Sequence, residues 1–257
     1  MFVDSIVFKV ARIECYVNGG MEAEASGFFY EIGEALYLVT NRHVVIDDDD
    51  CLFPDELRVL LHTNPQNLGE NGILSIPLYQ CGLPVWLEHP TFGSEVDVVA
   101  VPVDARSVRS QFLIQAFNDS FHLPNNPIVS LGQDLIVLGY PLGLYDTMHN
   151  LPLVRNATVA STFGVPFQGK QYFLVDSRLH SGSSGSAVLT KPSPVTDFDG
   201  NMNVMAGRIS YLVGVFSASL DSGIRDPDED EPLDLNYVWF AELIPQIILG
   251  GSTPNVL

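Results

Sequence analysis

The sequence predicts an all-β protein, and three observations carry that expectation. Its apolar runs are short and rich in Val, Ile, Leu, Phe and Tyr; Gly, Pro, Asn or Asp punctuates them; and they recur along nearly the whole chain. That count and spacing suit β-barrels or a sandwich better than alternating β and α units. In chain order the strand candidates are "SIVFKVARIECYV", "SGFFYEIGEALYLVTN", "ELRVLLHT", "LSIPLY", "VDVVAVPV", "QDLIVLGYP", "NATVASTFGV", "QYFLVDSRL", "GSAVLT" and "RISYLVGVFSASL". "DARSVRSQFLIQAFN" reads as a short helix or turn, and "FAELIPQIIL" as a C-terminal helix complicated by Pro245. The acidic pieces, "DDDD" at 47–50 and "DSGIRDPDEDEPLD" at 221–234, fall between strand-like segments and are expected as exposed loops.

At 257 residues the chain is long enough for one large all-β domain or two small ones with a real core. With 46% hydrophobic and 17% charged residues, wholesale disorder is excluded. No apolar run approaches the roughly 18–20 residues that span a bilayer, so no membrane association is expected. The N-terminus alternates like a strand and carries no signal-peptide pattern. Cys15, Cys51 and Cys81 are too few and too irregular for a disulfide framework, and no C-x-x-C pair suggests zinc. Reduced thiols in a cytoplasmic protein are the expectation. The formal charge of −19, from 12 Lys plus Arg against 31 Asp plus Glu, repels phosphate backbones, so no nucleic-acid partner is expected. His62, His89, His122, His149 and His180 show no i, i+4 pairing, and Asp47 to Asp50 lack the ligand spacing of a calcium loop, so neither a metal nor another cofactor is expected.

The stretch "HSGSSGSAVL" at 180–189 sits between strand-like sequences, which makes it either a solvated linker or a tight turn presenting a serine and its neighbouring N–H groups. Two other segments decide in favour of the turn. In "YLVTNRHVV", His43 ends an apolar strand; in "EVDVVAVPV", Asp97 enters a run of valines, where an unpaired carboxylate would be costly. Alone, each has an ordinary explanation: a satisfied structural histidine, or an aspartate bonding its own backbone. Together they supply what acyl transfer needs. A serine hydroxyl is a weak nucleophile until a histidine takes its proton, and the histidine needs a carboxylate to fix its tautomer. Two backbone N–H groups, here those of Gly182 and Ser184, would hold the oxyanion. Glu95, two residues before Asp97 and so on the same strand face, is the only close competitor for the third position.

On these segments the sequence resembles the chymotrypsin-fold serine proteases, closest to the HtrA-like bacterial trypsin-like peptidases without a PDZ domain. "TNRHV" matches the family's TNxHV, "DVVAV" approximates DxAxL and "GSSGSAV" approximates GNSGGPL. The resemblance implies a double β-barrel with a short C-terminal helix in a single peptidase domain over 1–257. An N-terminal barrel to about residue 120 would hold His43 and Asp97, and a C-terminal barrel from about residue 128 would hold Ser184. It implies a serine endopeptidase acting on a protein or peptide, with "VLGYPLGL" as a turn before the second barrel's strands. A catalytically inactive binding module on the same fold is the alternative.

Ser183 stands where activatable trypsins carry an aspartate, so activation by a newly cut N-terminus is not expected; Ser186 and Ala187 replace a glycine and a proline. By the family pattern, Ser217, Ala218 and Ser219 in "LVGVFSAS" would line the bound peptide, and Arg178 and Leu179 would lie at or near the primary specificity pocket. Arg178 either faces that pocket or turns away to pair with Asp176 or the acidic loop. In both cases cleavage after Lys or Arg is not expected.

Overall fold

A computed structural model of the chain describes residues 3–48, 50–124, 129–178, 182–196, 204–219 and 234–254. Strand formation begins with a hairpin that its turn dictates. Asn18 and Gly19, at φ +49° and +83°, supply the two positive values that a two-residue turn needs to match strand twist. They join β1 (Val10–Val17) to β2 (Gly20–Ile32), with Val17 opposite Gly20. β3 (Ala35–Thr40), β4 (Glu56–His62) and β5 (Asn71–Pro77) follow, then a minimal ladder of β6 (Tyr79–Gln80) with β7 (Leu83–Pro84), then β8 (Val99–Val103). The first sheet runs β5-β4-β1-β2-β3-β8 and curls into an open half-barrel.

The second half contains β9 (Asp134–Gly139), β10 (Leu153–Val159), β11 (Tyr172–Asp176) and β12 (Ala187–Thr190). After the β13 (Ser193–Thr196) and β14 (Val204–Ile209) ladder come β15 (Leu212–Ser219) and β16 (Leu235–Phe240). Six of these close into a barrel in the order β10-β11-β16-β15-β12-β9. The architecture is therefore the all-β double barrel of the chymotrypsin type, with α1 (Ala105–Gln111) and α2 (Leu243–Gly250) as its helices among the described residues.

Strand alternation explains how one strand serves both halves. In β2, Phe29 packs into the first sheet's own core with Ile13, Leu38, Leu57 and Trp86. Phe28 and Tyr30 point the other way, into the core of the closed barrel with Leu135, Phe173 and Val215. The run "FFY" is continuously apolar because β2 lies between two cores. Ser26 shares the face of Phe28 and Tyr30, and is fully buried. The free edge of β8 is covered locally: the N–H of Leu87 donates to Ala100 O at 2.9 Å, and the N–H of Ala100 donates to Leu87 O at 3.2 Å.

Several boundaries differ from the sequence expectation. The first strand candidate opens as a tight 3-10 turn over Ser5–Phe8, because the Asp4 carboxylate accepts the N–H of Ile6 at 3.1 Å. β10 stops at Val159, since Ser161 Oγ takes the N–H of Leu174 at 2.8 Å. Pro245 does not complicate α2: it falls in the first turn, where its missing N–H has no helical partner to lose. "YPLGL" follows β9 rather than preceding the second barrel's strands. Within the first acidic piece Asp48 and Asp50 are exposed, whereas 221–233 lies outside the described residues.

Phe117 ties the segment after α1 to β2 and to the core of the closed barrel. Its N–H donates to Phe29 O at 2.8 Å, and its ring stands edge-on to Phe28 and Phe121 at 5.5 and 5.3 Å. Phe117→Ala is expected to cost about 3–5 kcal/mol in chemical denaturation, the range for emptying a buried aromatic site.

Candidate active site

β3 runs into a single 3-10 turn, Arg42–Val44, that lifts His43 off the end of the strand. Arg42, beside it, is tied down: its Nε donates to Glu88 Oε1 at 2.8 Å, and the buried Trp86 indole lies 3.4 Å from the same oxygen. Asp97 sits two residues before β8, the neighbour of β3, so the sheet register brings the two loops together. Asn41 Nδ2 locks the junction by donating to Asp97 O at 2.6 Å.

The Asp97 carboxylate gathers three donors. Oδ1 accepts the backbone N–H of His43 at 3.0 Å; Oδ2 faces His43 Nδ1 at 2.8 Å and accepts Ser217 Oγ at 2.7 Å. With Nδ1–H donating its hydrogen bond to the carboxylate, Nε2 keeps its lone pair and can act as a base. Glu95, the competitor, is two-thirds exposed and paired with Lys170 at 3.3 Å. Ser217, the residue expected beside bound peptide, turns its hydroxyl onto Asp97, a contact between the two halves that strand patterns do not announce.

Ser184 lies in the turn just before β12. Gly182 adopts φ +80°, a value that favours glycine, and Gly185 has φ +83°. The turn is closed by Ser186 N–H to Ser183 O at 3.0 Å and Gly185 N–H to Phe216 O at 2.9 Å, which ties it to β15. A Cβ on Gly185 would fall 2.0 Å from Ser26 O and 2.5 Å from Thr40 Oγ1, so only glycine fits against the first sheet here. The Ser184 carbonyl accepts the N–H of Ser26 at 2.9 Å, and Thr40 Oγ1 donates to Ser26 O at 2.8 Å. Thr40 is the last residue of β3, three before His43. The serine turn and the histidine loop are thus fastened to the same few atoms.

Departures from the family motif are absorbed locally. Ser186 projects its hydroxyl to within 2.0 Å of where a Cβ on Gly139 would stand, so the side chain added at 186 occupies room that a glycine leaves at 139. Ser183 is buried, and the described residues offer its hydroxyl no hydrogen-bond partner. Arg178 is 74% exposed, its Nε 3.6 Å from Asp234 Oδ2. Leu179 lies outside the described residues, and Ala218 and Ser219 complete β15. Of the sequence candidates, then, His43, Asp97 and Ser217 meet directly, Gly182 and Ser184 share the docked turn, and Arg178 stands apart at the surface.

Burial of His43 works against its charged form, but the hydrogen bond and charge of Asp97, joined by the charges of Asp47 and Asp50, outweigh it and raise the imidazole above its ordinary value. An NMR titration of His43 is accordingly expected to give a midpoint above about 6.5. Asp50→Asn removes a negative charge that favours the imidazolium and should move that midpoint down.

Residues 25–193 match the family model described as "Trypsin-like peptidase domain". No curated protein matches the sequence. Among solved structures, a serine endoprotease from Yersinia pestis is similar at TM-score 0.54 and 14% identity, over 95% of this chain and 62% of that one. The active form of the Rv3671c protease from M. tuberculosis is similar at TM-score 0.50 and 14% identity, over 98% of this chain and 84% of that one. The chain therefore spans under two-thirds of the Yersinia protein's length, and at such identities the likeness to both concerns the fold.

Proposed function

The chain belongs to the trypsin-like peptidase family, and from that premise we propose that it is a serine endopeptidase in which Ser184 is the nucleophile, His43 the base and Asp97 the group that orients it. The observation that carries the proposal is the Asp97 carboxylate held at 2.8 Å from His43 Nδ1 and fixed from the opposite half by Ser217. His43 Nε2 takes the hydroxyl proton of Ser184 as Oγ attacks the substrate carbonyl, and returns it to the leaving amine. The N–H groups of Gly182 and Ser184 receive the oxyanion, in a turn whose shape is set before substrate arrives. The Ser184 acyl ester is then hydrolysed by water activated in the same way.

Substrates are proteins or peptides. Arg178, with its guanidinium near Asp234 and largely in solvent, supports a primary pocket whose preference is not set by a buried positive charge. We further place the protein in the cytoplasm, in keeping with three free thiols, of which Cys15 is buried and raised to about 12 by that burial. Dithiothreitol is expected to leave activity unchanged; a loss would point to a disulfide.

A fluorophosphonate probe should label the wild-type protein at Ser184, and Ser184→Ala should abolish labelling while leaving the circular dichroism spectrum intact. Labelling at Ser181 or Ser186 instead would overturn the assignment, and a wild-type protein inert to both probe and activated ester would favour a binding module. Asp97→Asn should lower turnover of an activated ester on the order of 10⁴-fold, because the imidazole loses its tautomer. Glu95→Gln, at an exposed surface ion pair, should leave turnover within about twofold.

A further inference from the structure

Ser26 lies outside the three segments that carry His43, Asp97 and Ser184, yet all its polar atoms are spent on the serine turn or its surroundings. Its N–H donates to Ser184 O at 2.9 Å, its carbonyl accepts Thr40 Oγ1 at 2.8 Å, and its Oγ accepts the N–H of Tyr140 at 2.9 Å. The Oγ proton is then committed: it goes to Gly182 O at 2.8 Å. The residue is completely buried, so water cannot substitute for any of these partners.

Taking the site to be the peptidase site proposed above, we infer that Ser26 is a positioning residue whose hydroxyl fixes the Gly182–Ser183 peptide, the unit that lies between the donor N–H groups of Gly182 and Ser184, and so keeps both aimed at the oxyanion. The geometry explains why a hydroxyl is required. A peptide plane next to a glycine at φ +80° has little steric reason to prefer one orientation over its flip. A carbonyl turned into a fixed, desolvated donor has a strong one. That donor is itself oriented, because the Tyr140 N–H, at the end of β9, occupies the Oγ lone pair. Ser26 thus reads the position of the closed barrel and passes it to the turn, while its own main chain belongs to the first sheet. Gly185 completes the fit by admitting Ser26 O where a side chain would collide.

The consequence is specific to transition-state stabilisation. Losing the hydroxyl should leave His43, Asp97 and substrate contacts in place while loosening the oxyanion donors. For an activated ester, Ser26→Ala is expected to lower kcat by about 10²-fold, comparable to loss of one oxyanion donor, with KM within about threefold and the pH midpoint of the rate unmoved. Ser26→Cys, which keeps a weak donor in a similar shape, should fall between wild type and alanine, and carries the same test if the alanine variant does not fold. Rates of fluorophosphonate labelling, measured on all three proteins, should follow the same order.

A folded Ser26→Ala protein with wild-type kcat and labelling rate would overturn the inference and leave the peptidase function standing. A loss confined to KM, or one accompanied by a shifted pH midpoint, would also overturn it, since either would place the damage elsewhere. A wild-type protein that neither labels nor turns over would remove the peptidase function, and this role with it.

Discussion

Everything in the site hangs on one carboxylate that cannot be left unpaired. Asp97 stands at the threshold of a strand of valines, where a bare negative charge would be expensive. The fold answers with three donors, two from His43 and one from Ser217. Because Ser217 belongs to β15 and His43 follows β3, satisfying that charge draws the two halves of the molecule together at the same oxygen that faces the imidazole. Satisfying the charge and aligning the imidazole are therefore the same requirement. The neighbouring acidic loop adds a long-range bias in the same direction, favouring a protonated imidazole, but acts through partly solvated space and is open to screening by salt.

The strands were legible where local pattern and tertiary fate coincide. Short runs rich in Val, Ile, Leu and Phe marked β4, β8, β9 and β11, each of which buries side chains in the core of its own half. β16 went unmarked because "LNYVWF" follows an acidic stretch and runs straight into helical sequence, so no turn signal isolates it. The triad candidates were visible since each sits at the end of a recognisable strand. What could not be seen was the second meaning of ordinary residues. Ser217 reads as one small residue among several in "FSAS", and its bond to Asp97 exists only once β15 lies opposite β8's loop. Ser26 offered a fainter clue: it is a lone hydroxyl at the start of an otherwise apolar "GFF" run. Strand parity alone would have put it on the face of Phe28 and Tyr30, but not beside the serine turn.

The altered motif "GSSGSAV" shows how such a turn tolerates change. Bulk added at Ser186 is accommodated because β9 ends in Gly139, while Gly185 has no such latitude against Ser26 and Thr40. The two neighbouring positions differ in what stands opposite them: a side-chain space in one case, a carbonyl oxygen in the other. Backbone does not step aside.

The two edges of the open sheet carry unequal duties, and that inequality has a dynamic consequence. Among the described residues β5 is hydrogen-bonded to β4 alone, and a groove of about 550 Å³ separates it from the end of β8, lined by Leu74 and Ile76 on one side and by Pro102 and Val103 on the other. β8, the opposite edge, is pinned by the paired amides of Leu87 and Ala100. Thermal fluctuation should therefore open the sheet from the β5 side, where amide protons exchange with solvent through small local excursions, and spare the side that leads from Asp97. In hydrogen-bonding order four strands separate the free edge from β8, which leads from Asp97, so an excursion of β5 can stay local to one side of the ladder.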